Sequence, residues 1–573
     1  MLRATLVGGV LVWLLTAPTL TLPAQVGRID TNDGRHSIWN VAWVARTLTT
    51  QPRRLLDANI FHPHTGTLAY SEMNLVAGAL AVPWYVLTGD PLAATNGAIA
   101  VALVLAFVLM AGLVRGLSGS EAAGLVAATA FTFCPYVSAR TAHVQLLMIL
   151  GFPLVMLAFH RTAAQPSVPR GVMLGASLAF SALACGYYGI FAGLMLAVAG
   201  LVAARLDRRY WTALLAAVAT SAILLGPVYV AFVRARAASG VPPLRWLPEH
   251  AREYSANLSA YLASGAFAHS WWLDALAGVQ MWKDVLFPGI GVVLLAAMGV
   301  RAAWSTPHRR VVLIYGLLAV TAFWASFGPD AGLYRLIYLL VPGTALIRAP
   351  ARFAIVVTFA LSVLAGFAVA RFEHRWRWLP ALIVCLLVAE LGVRTPQWGW
   401  PSWPLHVRRP LTAADRYLAQ LPAGVVLEFP FPYVRNDLHN HARAMFWSTY
   451  HWHPLVNGYS DLIPADFTDM AVQIRNFPDG TTFELARQRH VRYVLWRIDR
   501  YDEASRRVLQ QRIEAWSSCL MPLVVEPDGW LYQVIRWPAD TSPGSCSSTL
   551  PASDVDRRAG EREEHDQHGA DEG

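Results

Sequence analysis

The sequence is almost empty of lysine. Lys283 is the only one among 573 residues, and arginine carries nearly all the positive charge. Charge of either sign is scarce too, at 14% of residues against about 25% in soluble globular domains. That scarcity excludes a freely soluble domain of this length. Cysteine is limited to five residues, with no CxxC pair and no zinc-type spacing, so no zinc or dithiol centre is readable. No basic stripe interleaved with aromatics lies outside the apolar runs, which argues against a nucleic-acid partner. No internal repeat is present.

What fills the chain is apolar: 55% hydrophobic residues and a mean hydropathy of +0.39. Apolar runs approaching or exceeding the length of a bilayer span recur through residue 395. They cover roughly 4–24, 73–89, 92–114, 122–137, 143–159, 171–186, 188–204, 211–232, 285–303, 311–327, 353–370 and 379–393. The fold class is a polytopic α-helical membrane protein. Arginine placement sets the count of spans. If 73–89 is an interfacial helix, the basic connections at Arg115, His160–Arg170, Arg205–Arg209, Arg301–Arg310 and Arg371–Arg377 all face inside. If 73–89 crosses, they all face out. The reading is therefore about eleven spans, with the amino terminus inside and the carboxyl end outside the cytoplasmic membrane.

Four regions follow from this. Residues 1–395 form the transmembrane domain, with a long first outer loop at 25–91. Residues 396–404 (PQWGWPSWP) are a Pro/Trp-rich exit at the interface. Residues 405–537 read as a small extracytoplasmic α/β domain, with strands at 424–431 and 491–498 and a hairpin at 522–535 turning on Asp528-Gly529. Helical stretches near 411–421, 442–450, 466–476, 482–489 and 503–516 alternate with them. Residues 538–573 read as a disordered acidic tail. Residues 551–573 carry a charge of −5, leaving +14 for the remainder. Cys134, Cys185 and Cys385 read as packed small hydrophobes. Cys519 and Cys546 are able to pair if the C-terminal region faces an oxidising compartment.

The chemistry-bearing residues gather in the outer loops. Asp33, in TNDGRHSIWN, opens a segment with helical apolar spacing, Ile38 to Leu48, expected to lie along the membrane surface. It reads either as a helix cap or as a carboxylate with work to do. Glu72 lies at the amino end of the 73–89 helix and is placed to approach Asp33. The two together would bind a divalent cation, Mg or Mn, or one would serve as a base. His62 and His64 read as ligands or surface groups. In the second outer connection, PYVSARTAHVQ at 135–145, Arg140 breaks the inside bias, which suits a lipid phosphate or a snorkelling side chain. In LIRAPARF at 346–353, Arg348 and Arg352 stand four apart, with Pro350 disfavouring a simple helix between them. Histidines 439, 441, 451 and 453 cluster near PLVNGYSD and read as metal ligands or packing groups.

These stretches together (Asp33, FHPHTGTLAYSE at 61–72, PYVSARTAHVQ, LIRAPARF, and PLVNGYSDLIP at 454–464) resemble the GT-C superfamily of polytopic glycosyltransferases. The likeness is to bacterial, YfhO-like members with a C-terminal extracytoplasmic domain, and covers about residues 5–535. The resemblance implies a polyprenyl-phosphate-linked sugar as donor and a glycan, lipid or protein acceptor. It implies inverting transfer on the outer face, with Asp33 as catalytic acid residue and Glu72 as its companion. It also implies a donor phosphate held by Arg140, His143, Arg348 and Arg352. This sequence departs from the family by lacking a paired DD or DE in the first loop, and by carrying Arg140, His143 and Gln145 where several members have an acid. Two other classes stay open: a carrier or flippase for a lipid-linked glycan, needing charges near mid-membrane, and a non-catalytic scaffold whose outer domain binds polymer.

Overall fold

The computed structural model describes residues 1–240, 246–273, 275–276, 279–280, 283–341, 343–392, 405–539 and 546–547. The linker at 396–404 and nearly all of the acidic tail lie outside them. The chain divides into two compact units. One comprises Met1–Pro52, Glu72–Arg234 and Pro242–Arg408; the other comprises Arg53–Ser71, Ala235–Val241 and Arg409–Gly573.

The first unit is helical. In chain order it contains α1 (Leu2–Thr16), α2 (Asn32–Thr50), α3 (Leu75–Thr88), α4 (Pro91–Ser118), α5 (Glu121–Thr132) and the short α6 (Pro135–Ala139). Next come α7 (Gly151–Ala164), α8 (Val168–Ala184), α9 (Gly186–Val202), α10 (Arg208–Ala238), the short α11 (Ser270–Leu273), α12 (Ile290–Ala303), α13 (Arg309–Ser326), α14 (Leu333–Leu340), α15 (Ala354–Phe372) and α16 (Leu379–Leu391). Among the described residues, five helical segments are long and apolar enough to cross a membrane: Pro91–Ser118, Glu121–Ala139, Arg208–Ala238, Arg309–Ser326 and Pro350–Phe372. Six shorter apolar helices accompany them. The chain is an integral membrane protein. At 14 residues α3 reaches only about 21 Å, short of a hydrocarbon core of about 30 Å.

Local chemistry sets the boundaries. Asp90 caps α4, accepting from the N–H groups of Leu92 (2.9 Å) and Ala93 (3.0 Å), with Pro91 at the first helical position and Gly119 in the left-handed conformation at the far end. Small residues let the helices close on one another. A Cβ on Gly299 of α12 would run into the Leu364 carbonyl of α15, and one on Gly124 of α5 would meet the Ala111 carbonyl of α4 at 2.5 Å. The apolar run 143–159 does not form one helix as its hydropathy predicts. Val144–Leu147 is a 3-10 turn and α7 begins only at Gly151, with Pro153 in its first turn where a missing N–H costs nothing. Nor is α2 a half-exposed surface helix. Nine consecutive residues from Ser37 to Ala45 are buried, because α3 and α4 both pack against it. A two-residue antiparallel ribbon pairs β1 (Val26–Gly27) with β2 (His406–Val407).

The second unit is built on a four-stranded mixed sheet in the order β3 (Val425–Phe429), β4 (Val491–Trp496), β6 (Gly529–Val534), β5 (Leu520–Glu526). The β3–β4 pair is parallel and the others antiparallel. Ala414, Leu418, Val426, Leu455, Tyr493, Leu495 and Leu531 form its buried core. The expected strands, the Asp528-Gly529 hairpin and the intervening helices are all present. Cys519 and Cys546 are joined as a disulfide with Cα atoms 5.7 Å apart.

Candidate functional site

The site begins at the amino end of α2. Thr31, not Asp33, is the cap: its hydroxyl accepts the Gly34 N–H at 3.0 Å. That leaves the Asp33 carboxylate, 54% exposed, aimed elsewhere, and its Oδ2 lies 3.4 Å from Nε2 of His143. His143 sits in a tight turn after α6, its N–H donating to the Arg140 carbonyl at 2.9 Å. The turn is fastened to α2 by Ser37, whose hydroxyl donates to the Ala142 carbonyl at 2.7 Å. Sequence positions a hundred residues apart are thus brought to one spot.

Two arginines stand behind this pair. Arg140 is buried, donates from Nη2 to the Lys283 carbonyl at 2.6 Å, and lies 5.0 Å from the Tyr136 ring. Arg352 rides on the 3-10 turn Pro350–Phe353 that leads into α15, its guanidinium 4.5 Å over the Tyr187 ring. The His143 imidazole records the field of all of them. Burial, then the charge of Arg352, push its pKa down to about 4, against the pull of Asp33; Arg140 and His36 push the same way as Arg352. At neutral pH His143 is a neutral ring beside the Asp33 carboxyl group. Among the described residues no carboxylate pairs with Arg352, so its charge is available to an anionic ligand.

Glu72 takes a different place. Its carboxylate accepts the Gly186 N–H at 2.9 Å, at the head of α9, where helix N-termini favour negative charge. Its carbonyl accepts from Asn40 of α2 at 2.9 Å. It is a brace between α2 and α9. Among the described residues no group of three or more His, Cys, Asp or Glu converges to hold a metal ion. Arg348 also stands apart from the Asp33 cluster, its guanidinium lying 4.2 Å from the Tyr254 ring and 5.1 Å from the Trp246 ring.

The second unit gathers FHPH and PLVNGY. His62 N–H donates to the Leu455 carbonyl at 2.8 Å and Phe61 N–H to the Asn457 carbonyl at 3.2 Å. His64, His441 and His453 are engaged with the protein, whereas the buried Nε2 atoms of His62 and His451 have no hydrogen-bond partner among the described residues. His64 contacts Asp466 at 2.9 Å, which Arg489 also holds at 2.8 Å. His453 meets the Leu418 carbonyl at 2.9 Å and His441 the Pro432 carbonyl at 2.9 Å. Burial lowers the His441 pKa to about 3.

Tyr187 escaped the sequence reading. Its hydroxyl accepts the Arg348 backbone N–H at 2.9 Å while its ring carries Arg352. The available signal was the uncharged Gly186-Tyr187-Tyr188-Gly189, a tyrosine pair where two apolar helices meet. A crevice beside the start of α2 is lined by Gly34 together with Thr16, Thr19, Arg28, Thr95, Asn96 and Thr141 among others.

No protein-family model matches the sequence. No curated protein matches it either. Among solved structures, the cryo-EM structure of the arabinofuranosyltransferase AftD from Mycobacteria matches with a TM-score of 0.55 at 14% identity, covering 93% of this chain and 39% of that one. A mutant form of AftD matches at 0.57 and 16% identity, covering 93% and 41%. The apo crystal structure of ArnT from Cupriavidus metallidurans aligns over 93% of this chain and 97% of its own at 14% identity, but with a TM-score of 0.40, too loose to argue from. The chain spans about two fifths of the AftD chains it matches, and the likeness is one of fold. The shared fold is that of the AftD arabinofuranosyltransferase structures.

Proposed function

We propose that this protein is a membrane glycosyltransferase that moves a sugar from a polyprenyl-phosphate donor to an acceptor hydroxyl on the outer face of the cytoplasmic membrane. The observation that carries the reading is Asp33 beside His143 at 3.4 Å, with the charge of Arg352, from a third distant segment, acting on the same imidazole. It is supported by a fold shared with AftD, a glycosyltransferase.

The chemistry follows from the groups present. Asp33 accepts the proton of the attacking acceptor hydroxyl, and the new bond forms between that oxygen and the anomeric carbon. The bond from the anomeric carbon to the lipid phosphate oxygen breaks on the opposite face, inverting the centre. Negative charge grows on the departing phosphate, and Arg352 with Arg140 offsets it. His143, a neutral ring with Nε2 3.4 Å from Oδ2 of Asp33, limits how that carboxylate can turn toward the acceptor.

The carrier reading fares less well on the same residues. It needs an available charge within the spans, and Glu390 of α16 is taken up by the N–H groups of Ile290 and Gly291 and by His269 at 3.1 Å.

The test offers the purified full chain radiolabelled polyprenyl-phosphate sugars and membrane acceptors. Transfer is expected, and Asp33→Asn is expected to cut kcat by about 10²–10⁴-fold, the usual worth of a general base. Undiminished transfer by the variant would remove Asp33 from the mechanism. The eleven-span topology is checked by fusing a periplasm-active reporter near Pro538; an inactive reporter overturns the count.

A further inference from the structure

Arg348 and Arg352 look like one phosphate grip in the sequence, four residues apart. The structure separates their side chains. Arg352 turns to the Tyr187 ring and faces His143, whereas Arg348 turns the other way, into a slot between Tyr254 and Trp246. Rings against a guanidinium restrain it and leave its N–H edges to be satisfied. Among the described residues no carboxylate pairs with it. Asp330, on the neighbouring 3-10 turn, is held by Arg252 at 3.0 Å.

The slot is built rather than incidental. The Trp246 N–H donates to the Ala345 carbonyl at 2.8 Å, the Arg348 N–H donates to the Tyr187 hydroxyl at 2.9 Å, and the Tyr334 hydroxyl donates to the Ile347 carbonyl at 2.8 Å. Through Tyr334 the slot is tied to α14. That helix buries Tyr334 and Ile337 and exposes Leu336 (52%), Leu339 (79%) and Leu340 (70%). In an integral membrane protein, a short helix with a leucine face uncovered lies in the head-group zone with that face in the acyl chains. A guanidinium fixed next to such a helix stands at the depth of lipid phosphates.

We propose that Arg348, held by Tyr254 and Trp246, is a second phosphate site, distinct from the one at Arg352 and Arg140, and that it takes the phosphate of a lipid head group at the membrane rim. The assignment of the Arg352 site to the donor rests on the transferase reading; the Arg348 site does not need it. Two such sites let one lipid phosphate occupy the rim while another occupies the reacting position.

The test measures stoichiometry and affinity of dodecyl phosphate on the full chain in neutral detergent, with inorganic phosphate as the second probe. Two bound dodecyl phosphates are expected. Arg348→Gln removes one, weakening it on the order of tenfold to a hundredfold, and Arg352→Gln removes the other. Trp246→Leu, which keeps the charge and loses the ring, weakens the Arg348 site alone and guards against a misfolded Arg348 variant. Inorganic phosphate is expected not to displace the rim ligand. A single bound lipid phosphate, or two that Arg348→Gln leaves unchanged, overturns the proposal, as does equal binding of inorganic phosphate at Arg348. Absence of sugar transfer with both lipid sites intact sinks the transferase reading and leaves the second site standing.

Discussion

Replacing His143 with alanine separates its two conceivable roles, an acid with its own proton and a neutral group that orients Asp33. With a pKa near 4, about one His143 in a thousand is charged at pH 7, so the neutral role is the one the structure supports. A hydrogen bond to a charged group contributes about 1.5–3 kcal/mol at good geometry. At 3.4 Å, on a carboxylate more than half exposed, the contact is weaker, and about 1 kcal/mol is the reasonable figure. His143→Ala should therefore lower kcat about fivefold, far less than Asp33→Asn, and His143→Gln should recover part of that loss through its amide N–H. Adding His143→Ala to Asp33→Asn should cost almost nothing more, because the contact is already spent. The assay is steady-state transfer across pH 5–8. Wild-type kcat should show no inflexion near 6.5, where an unperturbed imidazole titrates. An inflexion there that His143→Gln abolishes, or a hundredfold loss in His143→Ala, would refute the argument. Stability gives an independent reading. The unfolded chain protonates His143 near 6.5 and the folded chain only near 4, so the unfolded state binds more protons between those values. The folded state loses stability as pH falls through that window, and the loss should shrink in His143→Gln.

Three further outcomes follow from buried or capping charges. Arg497 is 3% exposed and bonds both Asp415 (2.8 Å) and Glu428 (2.9 Å); Arg497→Met should destabilise the chain by about 3–5 kcal/mol by stranding two acids, read as a drop in Tm. Although burial works against it, Arg497 holds the Asp415 carboxyl below the ordinary aspartate range; its contribution to stability is present at neutral pH and is lost as acid titrates it, a trend that thermal melts of wild type between pH 7 and 3 should show. Glu72→Gln should cost about 0.5–1 kcal/mol by removing negative charge from the head of α9, visible as lower Tm with Asp33 chemistry retained.

Much of the second unit was legible because its strands are short apolar runs bounded by turn residues. GVVLEFPF and VRYVLWRI each became a strand, and Asp528-Gly529 a hairpin turn. The meaning of Glu428 inside the first of these was not legible. An acid on an apolar strand signals a buried partner, and nothing local to it points to Arg497 sixty-nine residues on. In the membrane unit, hydropathy located α4, α10, α12, α13, α15 and α16 well, yet misread 143–150, because an apolar turn and an apolar helix have the same hydropathy. The periodicity of α2 foretold one buried face; Trp39, Asn40 and Trp43 lie off that stripe and are buried as well, since two helices cover α2. At the candidate site, the sequence points to Asp33 as the acid of the first loop and to His143 only as a phosphate group, because only the turn after α6 reveals that the ring lies beside Asp33. Glu72 was expected to approach Asp33 from the amino end of the 73–89 helix, and its carboxylate accepts the Gly186 N–H at the head of α9.

The ribbon of β1 with β2 has a consequence in time. Gly27 pairs with His406, which leaves the ribosome roughly 380 residues later. At about 5–20 residues per second, that interval is about 20–75 s. Throughout it the residues just before Asp33 lack their strand partner, and Asp30 and Asp90 lack His406 and Arg408. The segment that enters the membrane first is among the last to be finished. A half-synthesised chain would carry Asp33 on an unfastened loop until α16 and the strand that follows it have been made.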